Sequence, residues 1–149
     1  MIVKAVEDDL QRLTEIAIES KAYWGYTAEQ IESWREDLTV HTKQFQQWDV
    51  YKFVSDKEIA GFYCLDLNAS KTTSSLEFLF VLPKFIGKAI GSQLLQHAFQ
   101  ESIQQDKLKM KVLSDPNAAS FYTKHGFVEI SKEESSISGR FLPVMEKVL

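Results

Sequence analysis

Apolar residues recur at two intervals along the chain, and the switches between those intervals divide it into helices and strands. Met1 to Val6 reads as a strand. Behind the acidic Glu7, Asp8 and Asp9, the positions Leu10, Leu13, Ala17 and Ala22 fall at helical spacing. Thr27 with Gln30 three residues on forms a capping box, so a second helix is expected from about Ala28, with Ile31, Trp34 and Leu38 on its apolar side. Trp48 to Ser55 and Glu58 to Leu67 are rich in valine, isoleucine and aromatics, and Asp56 and Lys57 between them suit a hairpin turn. Polar residues from Asn68 to Ser75 interrupt the pattern before a third strand, Leu76 to Val81, which Pro83 ends.

After Gly87 the period changes again. Ile90, Leu94, Leu95, Ala98, Phe99 and Ile103 share one side of a helix running to about Gln105, and Leu108, Met110 and Val112 then alternate with Lys109 and Lys111. A strand, a helix and a strand in succession call for a parallel crossover. Pro116 opens a short helix through Lys124, capped by Gly126, and Phe127 to Ile130 and Phe141 to Leu149 supply two last strands. The fold class is α/β: a mixed twisted sheet of about seven strands, antiparallel at first and parallel in the middle, flanked by about four helices.

Composition narrows the function classes. A chain of 149 residues, 44% hydrophobic and 26% charged, fits a single domain over residues 1–149 without linker or repeat. Seventeen basic against twenty-one acidic residues give a net charge of -4, which offers no broad attraction for nucleic acid and favours a cationic or amine substrate. Cys64 is alone, and His41, His97 and His125 share no metal-ligand spacing with it, so neither a disulfide nor a metal is expected. The N-terminus lacks a targeting pattern and no run reaches membrane-spanning length; a cytoplasmic location without a membrane partner is expected.

The chemistry is concentrated between Pro83 and Gln93, where Lys84, Phe85, Ile86, Gly87, Lys88, Ala89, Ile90, Gly91 and Ser92 form a turn passing into a helix. Backbone amides at a helix start have no partner within the helix and carry roughly half a positive charge together, so an anion lodged there satisfies both. Gly87 and the small Ala89 would let a phosphate approach the backbone. Two glycines alone could equally serve a tight turn. The segment is neither a Walker loop nor a dinucleotide fingerprint, since both spacings are missing.

With its surroundings this segment resembles the GNAT superfamily of N-acetyltransferases, whose loop reads Gln or Arg, any two, Gly, any one, then Gly or Ala. Lys84, Gly87 and Ala89 match that spacing, with lysine in place of the usual first residue. Leu79 to Pro83 looks like the family's preceding strand, and Asn117, Ala118, Ala119, Ser120, Phe121, Tyr122, Thr123, Lys124, His125, Gly126 and Phe127 look like its second motif. The resemblance implies a GNAT-like fold and acetyl-CoA as cosubstrate. Its pyrophosphate would rest on amides from about Ile86 to Ser92, that is Ile86, Gly87, Lys88, Ala89, Ile90, Gly91 and Ser92. Its pantetheine would run beside Phe80 and Val81 like an added strand and meet Asn117 and Ser120.

The implied reaction is direct acetyl transfer to a primary amine. A lysine-like amine of pKa about 10.4 must first lose a proton, and the thiolate that leaves must gain one. Tyr122 matches the family's tyrosine near the sulfur and is the candidate acid, against a plain packing role beside Phe121. Glu77, a carboxylate inside an apolar strand, is the candidate base, against a solvated or salt-bridged surface position. Acceptor pockets in the family are built partly by the loop between the first two helices, here Tyr23, Trp24, Gly25 and Tyr26, whose aromatics could line an amine site or simply staple helices. Arg140 could take an acceptor carboxylate or be merely solvated. The acceptor is a small-molecule or protein amine, and the family suggests a homodimer. The alternatives are a non-catalytic acyl-CoA-binding or sensor protein and a protein N-terminal or lysine acetyltransferase.

Overall fold

The apolar intervals resolve into seven strands and five helices in the computed structural model, which describes residues 1–149. They are β1 (Ile2–Lys4), α1 (Leu10–Ala22), α2 (Ala28–Ser33), α3 (Thr42–Gln47), β2 (Asp49–Ser55), β3 (Glu58–Asp66), β4 (Thr73–Val81), α4 (Ile90–Gln104), β5 (Lys109–Leu113), α5 (Ala119–Lys124), β6 (Val128–Glu134) and β7 (Phe141–Val148). The strands form one sheet in the order β1-β2-β3-β4-β5-β7-β6. Residues 1–64 with 78–97 make one compact unit, and residues 65–77 with 98–149 make another.

In the first unit, Leu13, Ile16 and Ala17 of α1, Ala60, Phe62, Tyr63 and Cys64 of β3, and Leu94 and Leu95 of α4 are fully buried. The β2–β3 hairpin turns on Asp56 and Lys57, both at positive φ (48° and 66°), the handedness that two-residue hairpin loops need. Gly61 is demanded by space: a Cβ there would lie 2.7 Å from the Phe80 carbonyl oxygen and 3.2 Å from Leu94 Cδ1. The Thr27 cap forms as expected, Gln30 N–H donating to Thr27 Oγ1 at 3.1 Å and Thr27 N–H to Gln30 Oε1 at 3.0 Å. The helix it opens is shorter than its apolar spacing suggests. α2 ends at Ser33, and Trp34 and Leu38 bury themselves from successive turns beyond it. α3 has no buried residue and therefore no apolar interval by which to recognise it.

In the second unit, β4 and β5 pair in parallel, as the strand, helix, strand succession requires, with Thr73 opposite Lys109 through Leu76 opposite Val112. β4 thus starts among polar residues, earlier than its apolar run. Buried Ser74 meets buried Ser102 of α4, Oγ to Oγ 2.8 Å, which satisfies both hydroxyls. Ser102, not Ile103, occupies the covered side of the helix; Ile103 is 47% exposed. β6 extends to Glu134, well past Ile130, through its antiparallel ladder with β7, although every one of its residues is exposed. Met110, Phe127 and Met145 anchor this unit's core.

Candidate functional site

The segment leaving β4 is shaped residue by residue. Leu82 N–H bonds the Ala60 carbonyl at 2.8 Å, and Pro83 starts one tight helical turn, closed by Phe85 N–H to Leu82 O (2.9 Å) and Ile86 N–H to Pro83 O (3.1 Å). Gly87 then turns left-handed at φ 87°, where a Cβ would meet nothing within 4 Å, so conformation alone calls for glycine. Ala89 follows at φ 60°, a conformation that costs a residue with a Cβ about 1–2 kcal/mol. Such strain, retained in an exposed loop, points to a functional constraint. It also explains why glycine or alanine, with no bulk beyond Cβ, suits this place in the motif.

Ile90 is 4% exposed and pins the start of α4. The first bond entering the helix runs from Gln93 N–H to Ala89 O at 3.0 Å, so the amides of Ile90 and Gly91 stand at the positive end of a 15-residue helix. Gly87, Lys88 and Ala89 before them are exposed. Lys84, the departure from the motif, pairs with Glu58 (Nζ to Oε1 2.7 Å), and Lys84 and Lys88 lie 5.4 and 5.6 Å from the centre of the Phe85 ring. The result is an exposed loop with amides and ammonium groups suited to an anion. Phe80 and Val81, half-buried, end the strand that leads into it.

The second unit holds the other motif. Asp115 caps the turn Pro116–Ala118 by accepting from Asn117 N–H at 2.8 Å, and α5 carries exposed Ser120 and buried Tyr122. Phe121 and Phe127 pack edge-on against the Tyr122 ring, both at 5.3 Å. Gly126 at φ 94° closes the helix, with Phe127 N–H returning to the Tyr122 carbonyl at 3.0 Å. Burial pushes the Tyr122 phenol well above its ordinary pKa, so it stays protonated across the physiological range. Burial, with help from Lys124 and Lys147, pushes the neighbouring His125 down. Glu77 lies on the open side of β4, alternating with buried Ser74, Leu76 and Phe78, and accepts from Ser75 Oγ at 2.7 Å.

The three aromatics between α1 and α2 do not act alike. Tyr23 and Trp24, 54% and 46% exposed, meet edge-on at 5.2 Å. Tyr26 instead packs on Trp34 at 4.8 Å, and Lys21 Nζ sits 5.5 and 5.1 Å from those two rings. That pair already holds a cation of the chain itself. Arg140 likewise has an internal carboxylate: its guanidinium bonds Asp115 Oδ2 at 3.2 Å. The Asp115–Arg140 pair is a feature that sequence reasoning missed. An open groove of about 460 Å³, lined by Thr14, Arg35 and His41 among others, contains none of the expected site residues. No three His, Cys, Asp or Glu side chains are grouped to hold a metal, and no helix is long and apolar enough to cross a membrane.

Comparison with known proteins adds an independent finding. Residues 19–149 match the family model described as an acetyltransferase (GNAT) domain. A GCN5-related N-acetyltransferase from Rhodopseudomonas palustris superposes with a TM-score of 0.84 at 21% identity, covering 100% of this chain and 95% of that one. A PaiA N-acetyltransferase from Thermoplasma acidophilum, solved in complex with coenzyme A, gives 0.78 at 24%, covering 100% and 98%. An IAA acetyltransferase from Bacillus cereus gives 0.74 at 18%, covering 100% and 99%. No curated protein sequence matches. At these identities the structural neighbours establish the fold, and the family model establishes kinship.

Proposed function

The chain belongs to the GNAT acetyltransferase family, and from that premise we propose that it moves an acetyl group from acetyl-CoA directly to a primary amine. The observation that carries the reading is the exposed loop with left-handed Gly87 and Ala89 ahead of the amide end of α4. The pyrophosphate rests on amides from Gly87 to Ser92; the Ile86 N–H, expected to join them, is instead bonded to the Pro83 carbonyl. The pantetheine arm runs along Phe80 and Val81. In support, β4 continues to Val81 although its register with β5 ends at Leu76 opposite Val112. The coenzyme A complex of the Thermoplasma neighbour is consistent with the same carrier.

The amine nitrogen attacks the thioester carbonyl, the C–N bond forms, and the C–S bond breaks. Two proton movements accompany this. Glu77, open to solvent, takes the ammonium proton through water; Tyr122, kept protonated by burial, gives its proton to the departing thiolate and regains one from solvent. The remaining acceleration comes from holding both reactants in place. Tyr23 and Trp24 contribute apolar surface to the acceptor.

Thermal melting with and without acetyl-CoA tests the binding half: the midpoint should rise with ligand concentration. Thiol release from acetyl-CoA in the presence of a panel of small amines and N-terminal or lysine peptides tests the transfer half and identifies the acceptor class. A melt unmoved by both acetyl-CoA and CoA would remove the reading; a shift without thiol release would make the protein a binder of the thioester.

A further inference from the structure

Within the second unit, one face of β5 is open to solvent. Along that strand Lys109, Lys111 and Leu113 are exposed and alternate with buried Met110 and Val112. The register carries this face onto both neighbouring strands: Lys111 stands beside Ser75 of β4 on one side and Glu146 of β7 on the other. Exposed Glu77, two residues on from Ser75, lies on the same face. The proposed base therefore has a lysine as its diagonal neighbour, one strand spacing (about 4.8 Å) across and two residues (about 6.6 Å) along.

The charges on this face are unevenly paired. Glu146 is opposite Lys111 in register, yet its Oε1 is held by Lys109 Nζ at 3.2 Å. Glu77 accepts from Ser75 Oγ at 2.7 Å, which ties its carboxylate to its own strand. Lys111 takes neither carboxylate and makes no ion pair. An ammonium left in the open beside the base repels an acceptor that is only a cation, and it attracts one that brings an anion with it. Arg140, the other cation considered for an acceptor carboxylate, is bonded to Asp115.

We propose that Lys111 is a specificity-determining residue that receives the carboxylate of the acceptor, so that the acceptor is a small amino carboxylate, its nitrogen towards Glu77 and its carboxylate on the Lys111 ammonium. The inference rests on the acetyl-transfer reading with Glu77 as base and adds to it the substrate class. A molecule with both charges suits the two positions, and the flexible four-carbon stem of lysine lets its ammonium follow the carboxylate. Lys111 takes no part in making or breaking a bond. It therefore acts on the affinity for the acceptor and leaves the rate of the bound complex alone.

Thiol release from acetyl-CoA, measured with α-amino acids and with the matching amines that lack the carboxylate, tests this. The unaltered protein should favour the amino acid about tenfold in kcat/KM, the worth of one charge-assisted hydrogen bond. Lys111→Met should raise the amino-acid KM about tenfold and leave kcat, the KM for the bare amine and the KM for acetyl-CoA within about twofold. Lys111→Arg should keep most of the preference. Lys109→Met releases Glu146 to the lysine opposite it and should also raise the amino-acid KM; adding Glu146→Gln should restore it, a rescue that damage to the fold would not give. An equal change for both acceptors, no change for either, no rescue, or a preference of the unaltered protein for the bare amine would overturn the proposal. If no amine of either kind yields thiol, the transfer reading falls and takes this one with it; if amines are acetylated and Lys111→Met is indifferent, only the role of Lys111 falls.

Discussion

Two loops of the first unit share a backbone feature and differ in everything built on it. Gly25 and Gly87 stand at nearly the same φ, 86° and 87°, and neither has an atom within 4 Å of where a Cβ would lie. Gly25 follows the carbonyl end of α1, where Tyr23, Trp24 and Gly25 N–H groups bond the last turn at 3.3 Å each. Gly87 precedes the amide end of α4. The first is the negative pole of a helix, with Lys21 and aromatic rings gathered at it; the second is the positive pole, with Lys84 and Lys88 beside it. One conformation thus serves opposite charges. On the proposed reading, the carrier loop acts mostly through its backbone, which many sequences can form, while the acceptor loop acts through the exposed side chains of Tyr23 and Trp24.

Neither loop supplies the proposed proton for the thiolate, so the largest effect is expected outside both. Tyr122→Phe should lower kcat about a hundred- to ten-thousandfold and leave the KM for acetyl-CoA nearly unchanged. The pH profile sharpens this. The folded-state pKa is raised, so the phenol holds its proton until pH exceeds the ordinary value, and its contribution is lost only as pH rises through the folded value. No decline in kcat between pH 7 and 10 should trace to Tyr122. Stability should fall above about pH 10, where the unfolded chain ionises, and Tyr122→Phe should blunt that fall in alkaline melts. A profile with an alkaline limb near pH 8 that vanishes in the variant would contradict the buried phenol.

Valine placed at the two matching glycines then tests the division between loops. At positive φ a β-branched residue costs of order 1–3 kcal/mol, so each loop must shift. Gly87→Val should weaken acetyl-CoA roughly ten- to hundredfold with the acceptor KM unmoved; Gly25→Val should raise the acceptor KM and leave acetyl-CoA alone. Equal loss of carrier affinity in both variants would break the comparison. Gly61 supplies the contrast of a glycine required by space: Gly61→Ala forces a Cβ to within 2.7 Å of the rigid Phe80 carbonyl. It should cost about 1–3 kcal/mol in denaturant melts, where no change would mean that β3 and β4 can separate freely.

These contrasts follow what the sequence made legible. The passage from β4 into α4 could be read because proline, glycine and an apolar interval all mark it, and the parallel pairing of β4 with β5 follows from strand, helix and strand in succession. α3 could not, since none of its residues is buried, and neither could the length of β6, whose residues are all exposed and held by pairing with β7. Ser102 displaced Ile103 from the buried side because a hydroxyl finds Ser74 there. The turn at Gly87 was legible; the positive φ of Ala89 was not, because nothing in an alanine announces it. The partnership of Arg140 with Asp115 joins residues far apart in the chain, and charge alone does not choose among many such partners.

The smallest expected effect bears on the same comparison. Ala89 sits at φ 60°, left-handed like the two glycines but with a methyl group that pays for it in strain. Ala89→Gly removes that strain, and the more flexible unfolded chain offsets about 0.4–1 kcal/mol of the gain. The net should be a rise in stability below about 1 kcal/mol, read as a melting increase of a few degrees. Gly25→Ala reverses the trade at a matching φ and should lose a similar amount. If the loop's φ values, rather than the methyl itself, aim the amides at phosphate, Ala89→Gly keeps acetyl-CoA affinity within about twofold of the parent. A tenfold loss in a variant that folds more stably would show that alanine is there to hold the loop still, and that the carrier side depends on a side chain after all.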